Sequence, residues 1–328
     1  MIQQVGLAVL QLGIGLAILF AGGEALVRGA TAVALLARIS TTVVALTVVA
    51  MGTSLPELAV SVDAAARGST DIAYSNIVGS SIFNIGAILA LAAVLTVIQV
   101  QRQTIRVEYP IMFAAAVIVL LLARDGMVDR LEGVGLLVGL VLFIAYTVYL
   151  VSRGVPLTEA AALERDVKRA GHLKNGALRA WGINVALVAV GLAALVGGAD
   201  LSVMGSVTIA RTLGIEERVI GLTVIAMGTS LPELATCVMA TRRREPDIVL
   251  GNVIGSNVFN LFAILGVTAA VFPVPVHPVA RAVDNWVLVA FSAVLFPMMW
   301  WGHKISRRDG IVLLVGFTVY IAWVVVAR

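Results

Sequence analysis

Glu57 and Glu233 each close a near-identical stretch, and the residues around them could hold a cation. Leu46–Glu57 reads LTVVAMGTSLPE and Leu222–Glu233 reads LTVIAMGTSLPE, eleven identities in twelve at an offset of 176. At the same offset, NIVGSSIFN from Asn76 to Asn84 matches NVIGSNVFN from Asn252 to Asn260. The donors are all oxygen: two carboxylates, hydroxyls, the Asn amides, and any backbone carbonyls that the chain frees nearby. Without His or Cys as partners, such a set disfavours zinc or copper and suits a hard cation. Ca2+ takes roughly 6 to 8 oxygens, and two bidentate glutamates with the Thr53 and Thr229 carbonyls would supply about six. Mg2+ prefers to keep its waters, whereas Na+ also favours unwound carbonyls and half-helix ends, so one site could serve Ca2+ and Na+ in turn.

The elements around these residues must be helices that do not run smoothly. Gly52 removes side-chain cover, Thr53 and Ser54 can rebond backbone carbonyls, and Pro56 lacks the N–H that would continue the ladder. Gly228, Thr229, Ser230 and Pro232 repeat the pattern, so a break is expected beside each glutamate. Asn76, Ser80 and Asn84 are spaced to share one face if their helix holds, as are Asn252, Ser256 and Asn260. A Pro–Gly kink or an Asn as polar glue between helices needs no function when taken singly. Duplicated intramembrane glutamates with no basic neighbour in sequence are different, because each carboxylate costs roughly 2.5 to 3.5 kcal/mol at the bilayer centre. A bound cation neutralises them most directly.

Composition places the whole chain in lipid. Hydrophobic residues make up 60%, charged residues only 13%, and mean hydropathy is +1.02. Ten apolar spans are expected, centred on Leu12, Gly52, Ile85, Val117, Leu140, Val190, Met227, Phe262, Ala293 and Phe317. Spans one and six can run past Glu24 and Asp200, where the apolar pattern resumes; alternatively these acids mark where the spans leave the hydrocarbon. The fold class expected is therefore an all-α membrane protein of two five-helix repeats, residues 1–151 and 179–328, joined by a loop at 152–178. The repeated regions proper are 43–98 and 219–272. Five spans separate equivalent points, an odd number, so the second copy crosses in the opposite sense and the broken helices meet the midplane. Fifteen of the 23 Lys and Arg fall on the side of the 152–178 loop and seven on the side of the termini. The positive-inside bias puts that loop in the cytoplasm and both termini outside a cell membrane. Trp181, Trp286, Trp300, Trp301 and Trp323 fall near span ends, as an aromatic belt requires.

The motifs GTSLPE…GSSIFN and GTSLPE…GSNVFN resemble the two alpha repeats of the cation/Ca2+ exchanger superfamily, in its bacterial and archaeal Na+/Ca2+ exchanger-like branch. The resemblance implies a secondary antiporter that exchanges Ca2+ for Na+ by alternating access, with the long spans one and six as the moving bundle. It implies Glu57 and Glu233 as shared ligands of both ions. Thr53, Ser54, Ala50 and Ser80, with Thr229, Ser230, Ala226 and Ser256, would complete flanking Na+ sites, and Asn84 and Asn260 form the central pair. In relatives, Asp at the second of these is associated with K+ dependence, so Asn at both leans away from K+. A Ca2+/H+ antiporter on the same fold is the alternative. An intramembrane enzyme using Ser54 or Ser230 lacks a duplicated base, and a channel fits a two-fold inverted repeat poorly. No cofactor, nucleic acid or protein partner is implied.

Several residues invite less. Asp63 has Met239 as its repeat partner and is read as a vestibule or interface charge. Glu24 can pair with Arg28 at i+4. His172, His277 and His303 fall in loops, Cys237 is the only cysteine, and the Gly135–Gly139 spacing suits close helix packing.

Overall fold

The structure, a computed structural model, describes residues 2–152, 177–214 and 226–327. It is helical throughout except for four two-residue strands, and it repeats element by element at the offset seen in the sequence. In the first copy, α1 (Ile2–Ala37) is followed by α2 (Thr41–Thr53), α3 (Leu55–Ala66) and α4 (Thr70–Leu95). Then come β1 (Ile98–Gln99), α5 (Thr104–Asp125), β2 (Met127–Val128) and α6 (Arg130–Ser152). The second copy gives α7 (Ala177–Thr212), α8 (Ala226–Thr229), α9 (Leu231–Arg242), α10 (Pro246–Val271) and β3 (Val274–Pro275). It closes with α11 (Ala280–Trp300), β4 (Lys304–Ile305) and α12 (Arg307–Ala327).

Among the described residues, eight helices are long and apolar enough to cross a bilayer, and α2 with α3 forms a ninth candidate span bent by 43°. The expected seventh span, the counterpart of that bent pair, includes residues 215–225, which lie outside the described ones, as does most of the 152–178 loop with His172. α1 and α7 are each 36 residues and unbroken past Glu24 and Asp200. At 1.5 Å per residue each is about 54 Å long, well beyond the roughly 30 Å of hydrocarbon. All five tryptophans are exposed, and α6 and α12 display apolar side chains such as Leu131, Val141 and Val319 outward, as lipid-facing helices must.

The chain forms two compact units, each drawing on both copies. The first comprises 1–53 and 144–252, and its core is the antiparallel pair α1 and α7. Gly15, Gly22 and Gly29 recur every seventh residue on α1, and their repeat equivalents Gly191, Gly198 and Gly205 do so on α7. A Cβ at Gly22 would lie 2.9 Å from the Cβ of Ala194, and one at Gly198 would lie 2.8 Å from the Leu19 nitrogen. The backbones touch, so only glycine fits. Leu19, Leu26, Ala30, Leu195 and Ala199 fill the core beside this seam. Because equivalent helices of the two copies run antiparallel here, the repeat is inverted.

The second unit, 54–143 with 253–328, shows the inversion independently. β1 pairs antiparallel with β4 (Ile98↔Ile305), and β2 with β3 (Met127↔Pro275). β1 follows α4 in the first copy, whereas β4 follows α11, the equivalent of α5, in the second. The two loops are one span out of step, and can share a membrane face only if the copies cross in opposite senses. Nothing in the sequence announces these strands, since two residues are too few for a period. Close packing in this unit also falls elsewhere than expected. A Cβ at Gly135 would have no atom within 4 Å, whereas one at Gly133 would meet the Ala270 nitrogen at 2.5 Å. The α6 seam with α10 therefore runs through Gly133 and through Gly139, where a Cβ would meet the Phe262 ring at 3.3 Å, while Gly135 faces away from it.

Candidate functional site

Both predicted breaks are present and nearly superimposable in geometry. Ser54 has φ −86° and ψ 9°, Ser230 φ −89° and ψ 8°, both in the bridge region between helix and turn. Each serine separates an Ala-Met-Gly-Thr turn from a 12-residue helix, and each proline occupies the first turn of that helix, where its missing N–H costs nothing. Ser-x-x-Glu at a helix start is the pattern of a capping box, yet neither serine side chain caps its helix. Glu57 and Glu233 stand in the first turns of α3 and α9, where the helix dipole favours an anion. Both are 1% exposed. Gly52 and Gly228 are filled from α7, by Leu192 and Val203 respectively, so the glycines also admit a neighbouring helix at the break.

In the second unit, α3, α4 and α10 pack on one another and bring together Glu57, Ser80, Asn84, Ser256 and Asn260, all buried. The face expected of Asn76, Ser80 and Asn84 holds through Phe83. There the helix widens to a π turn over Asn84–Leu89, and α10 does the same over Phe259–Ile264. Each central asparagine thus sits at the start of a π turn, a feature that frequently marks functional sites. Asn84 donates Nδ2 to Asn257 Oδ1 at 3.2 Å, which leaves its own Oδ1 without a hydrogen-bond partner. Ser80 Oγ, Ser256 Oγ and both polar side-chain atoms of Asn260 are likewise buried without partners. Unmatched buried polar atoms cost roughly 1 to 3 kcal/mol each, and all of these except Asn260 Nδ2 are oxygens of the type a hard cation takes.

In the first unit, α9 packs on the last turn of α2 and on α8, which groups Ala50, Thr53, Thr229, Ser230 and Glu233. All five are buried, while the side chain of Ala226 lies outside the described part of the structure. Among the described residues, no three of His, Cys, Asp and Glu gather as a transition-metal site would require.

The remaining charges resolve simply. Asp63 is exposed and pairs with Arg67 at 2.8 Å, so it is a solvated surface charge. Glu24 pairs with Arg243 at the end of α9 and not with Arg28, because α1 packs along α9 and turns Glu24 toward it. His277 is exposed and His303 partly so. Three buried groups were missed from sequence. Asn257 orients Asn84, and its place in GSNVFN was the available signal. Glu108 and Asp284 are repeat-equivalent acids, each 4% exposed, at the ends of the π turns that open α5 and α11. Glu108 accepts from Gln103 at 3.0 Å and Asp284 from Tyr320 at 2.9 Å, and the 176-residue offset alone would have paired them.

A family model described as "Sodium/calcium exchanger protein" matches residues 7–154 and again 183–326, one match for each copy. The chain belongs to the sodium/calcium exchanger family. Among its curated relatives, the sodium/calcium exchanger MaX1 of Methanosarcina acetivorans is 33% identical, over 95% of this chain and 96% of that protein. The inner membrane protein YrbG of Escherichia coli is also 33% identical, with 96% of both chains covered. Among solved structures, the sodium-calcium exchanger NCX_Mj soaked with zero Na+ and Ca2+ superimposes with a TM-score of 0.84 at 31% identity, covering 98% of this chain and 99% of that one. Exchangers of this family are transporters, so the buried serines at the breaks need no nucleophilic role.

Proposed function

We propose that this protein exchanges Ca2+ for Na+ across a cell membrane, with both ions as substrates and no cofactor. The observation that carries the proposal is the duplicated break, with a buried glutamate in its first turn and partnerless buried oxygens on the helices of the second unit. Glu57 and Glu233 are the ligands proposed for both ions. Asn84 and Asn260, the side chains or carbonyls of Thr53, Ser54, Ser80, Thr229, Ser230 and Ser256, and the Ala50 and Ala226 carbonyls complete the set. Gly52, Pro56, Gly228 and Pro232 maintain the breaks. α1 and α7, joined backbone to backbone by glycine, are proposed to move as one body during alternating access. The distribution of Lys and Arg supports a cytoplasmic 152–178 loop and external termini. The ten-span layout, with five-helix repeats over 1–151 and 179–328, belongs to the same proposal.

Two glutamates hold two negative charges, which one Ca2+ neutralises. Three Na+, the number implied by the family resemblance, would leave one positive charge on the loaded carrier. Each cycle would then be biased by roughly 2.3 kcal/mol per 100 mV. The test is Ca2+ flux in proteoliposomes under imposed Na+, H+ or K+ gradients with the potential clamped. Na+-driven flux, faster in Ca2+ exit when the interior is negative and indifferent to K+, is the expected result. Flux sustained by a pH gradient without Na+ would instead establish proton coupling.

A further inference from the structure

Asn76 and Asn252 are repeat-equivalent and buried, and neither belongs to the ligand set above. Each donates Nδ2 to the side chain four residues beyond its own copy's glutamate. Asn76 donates to Ser61 Oγ at 3.0 Å, and also to the Glu57 carbonyl at 3.3 Å. Asn252 donates to Cys237 Sγ at 3.5 Å. The other end of the Asn252 amide reaches the last turn of α2. The Thr53 hydroxyl has one proton and two acceptors at 3.3 Å, the Ala50 carbonyl and Asn252 Oδ1.

Ala50, Thr53, Asn252 and Cys237 lie in one unit and are at most 1% exposed, so bulk solvent cannot stand in for any of these contacts. The thiol proton is directed at the Val249 carbonyl, 4.0 Å away, which leaves sulfur lone pairs for Asn252. That contact fixes the amide with nitrogen toward sulfur and oxygen toward Thr53. A carbonyl that accepts the Thr53 proton has one lone pair fewer for a cation. When Asn252 takes the proton, the Ala50 carbonyl is released.

We propose that Asn252, oriented by the Cys237 thiol, is a positioning residue for Na+: it draws the Thr53 proton away from the Ala50 carbonyl, so that this oxygen can face the ion. The inference rests on the assignment of Ala50 and Thr53 as ligands. It acts on Na+ more than on Ca2+, because a divalent ion takes most of its binding energy from carboxylates, whereas a Na+ site lined by neutral oxygens depends on each of them.

The test uses the purified full-length protein, titrated at equilibrium with Na+ alone and with Ca2+ alone, and Na+-driven flux in proteoliposomes. Asn252→Leu is expected to raise the Na+ half-saturation about tenfold and the Ca2+ half-saturation less than about threefold, as loss of one oriented hydrogen bond implies. Flux at saturating Na+ is retained. In a Thr53→Val background, Asn252→Leu adds less than about twofold, since residues acting through one contact are not additive. Equal losses for both ions overturn the proposal, as does full additivity with Thr53→Val. Wild-type Na+ affinity in Thr53→Val alone leaves the Thr53 and Ala50 carbonyls as ligands and agrees with the proposal, because that variant has no proton to place on the Ala50 carbonyl. Unaltered Na+ affinity in both Glu57→Gln and Glu233→Gln would instead overturn the site reading on which the proposal rests. Should Asn252→Leu not fold, Cys237 carries the test. Cys237→Val removes the acceptor and is expected to raise the Na+ half-saturation about threefold, while Cys237→Ser supplies a firmer acceptor and lowers it. Two substitutions moving Na+ affinity in the same direction, or neither moving it, overturn the assignment.

Discussion

The two compact units bury different things. In the first, two 36-residue helices meet through glycine backbones, and the core beside them is Leu, Val and Ala. In the second, hydrogen-bonded polar groups are set among the apolar side chains: Tyr74 donates to Asn285 at 2.8 Å, Tyr109 to the Ser292 carbonyl at 2.9 Å and Tyr320 to Asp284 at 2.9 Å, beside the partnerless oxygens of Ser80, Asn84, Ser256 and Asn260. In lipid, apolar side chains gain nothing by leaving the hydrocarbon, so close backbone approach and hydrogen bonds must supply the adhesion. The first unit uses the former along the α1–α7 seam. The second adds hydrogen bonds to close approaches such as Gly133 on Ala270, and gains an array of buried oxygens. The helix pair suits motion as a body and the oxygen array suits holding an ion, and the first unit also carries buried polar groups of its own in Thr53, Thr229, Ser230 and Glu233.

The contrast between the units is tested most severely at the glutamates, one in each. Glu57→Gln and Glu233→Gln are each expected to abolish Ca2+ flux while the folded protein remains in the membrane, measured by flux alongside size-exclusion profile. Normal uptake by either would sink the site assignment.

Next in size is the glycine seam. Gly22→Leu and Gly198→Leu force side chains into touching backbone and are expected to cost at least about 1 to 3 kcal/mol, lowering the thermal-unfolding midpoint. Gly135→Leu, where a side chain meets nothing within 4 Å, serves as the contrast and should leave the midpoint close to that of wild type, about the scale of 0.5 kcal/mol for a surface change. Equal effects at Gly22 and Gly135 would mean that the seam is not where the first unit coheres.

In the second unit, Tyr74→Phe strips Asn285 Oδ1 of its donor, and Asn285 Nδ2 is already without a partner. A loss of about 1 to 3 kcal/mol is expected in chemical denaturation. The smallest effect belongs to the exposed Asp63–Arg67 pair. Asp63→Asn should change stability by no more than about 1 kcal/mol and leave Ca2+ half-saturation unaltered. A shifted half-saturation would give Asp63 a place near the ion path.

Much of this was readable from sequence because the chain states its constraints twice. An eleven-in-twelve match at one offset located both breaks, and Gly, Pro and Thr-Ser chemistry predicted their form without knowledge of any neighbour. The odd number of spans between copies implied inversion, which the antiparallel α1–α7 pair and the β1–β4 and β2–β3 bridges show in space. The same offset, applied to glycine and to acids, would have found the seam and the Glu108–Asp284 equivalence. Those signals were present but carry no motif.

What sequence could not decide is which partner each side chain meets. Glu24 had Arg28 one turn away, yet it binds Arg243, because the seam sets the rotation of α1 and rotation determines which face a mid-helix acid presents. Gly133, and not Gly135, approaches α10 for the same reason. Local order followed from backbone chemistry, which is short-range and written in consecutive residues. Which donor met which acceptor, Asn252 between Cys237 and Thr53 above all, followed from helix rotation and depth, and only packing sets those.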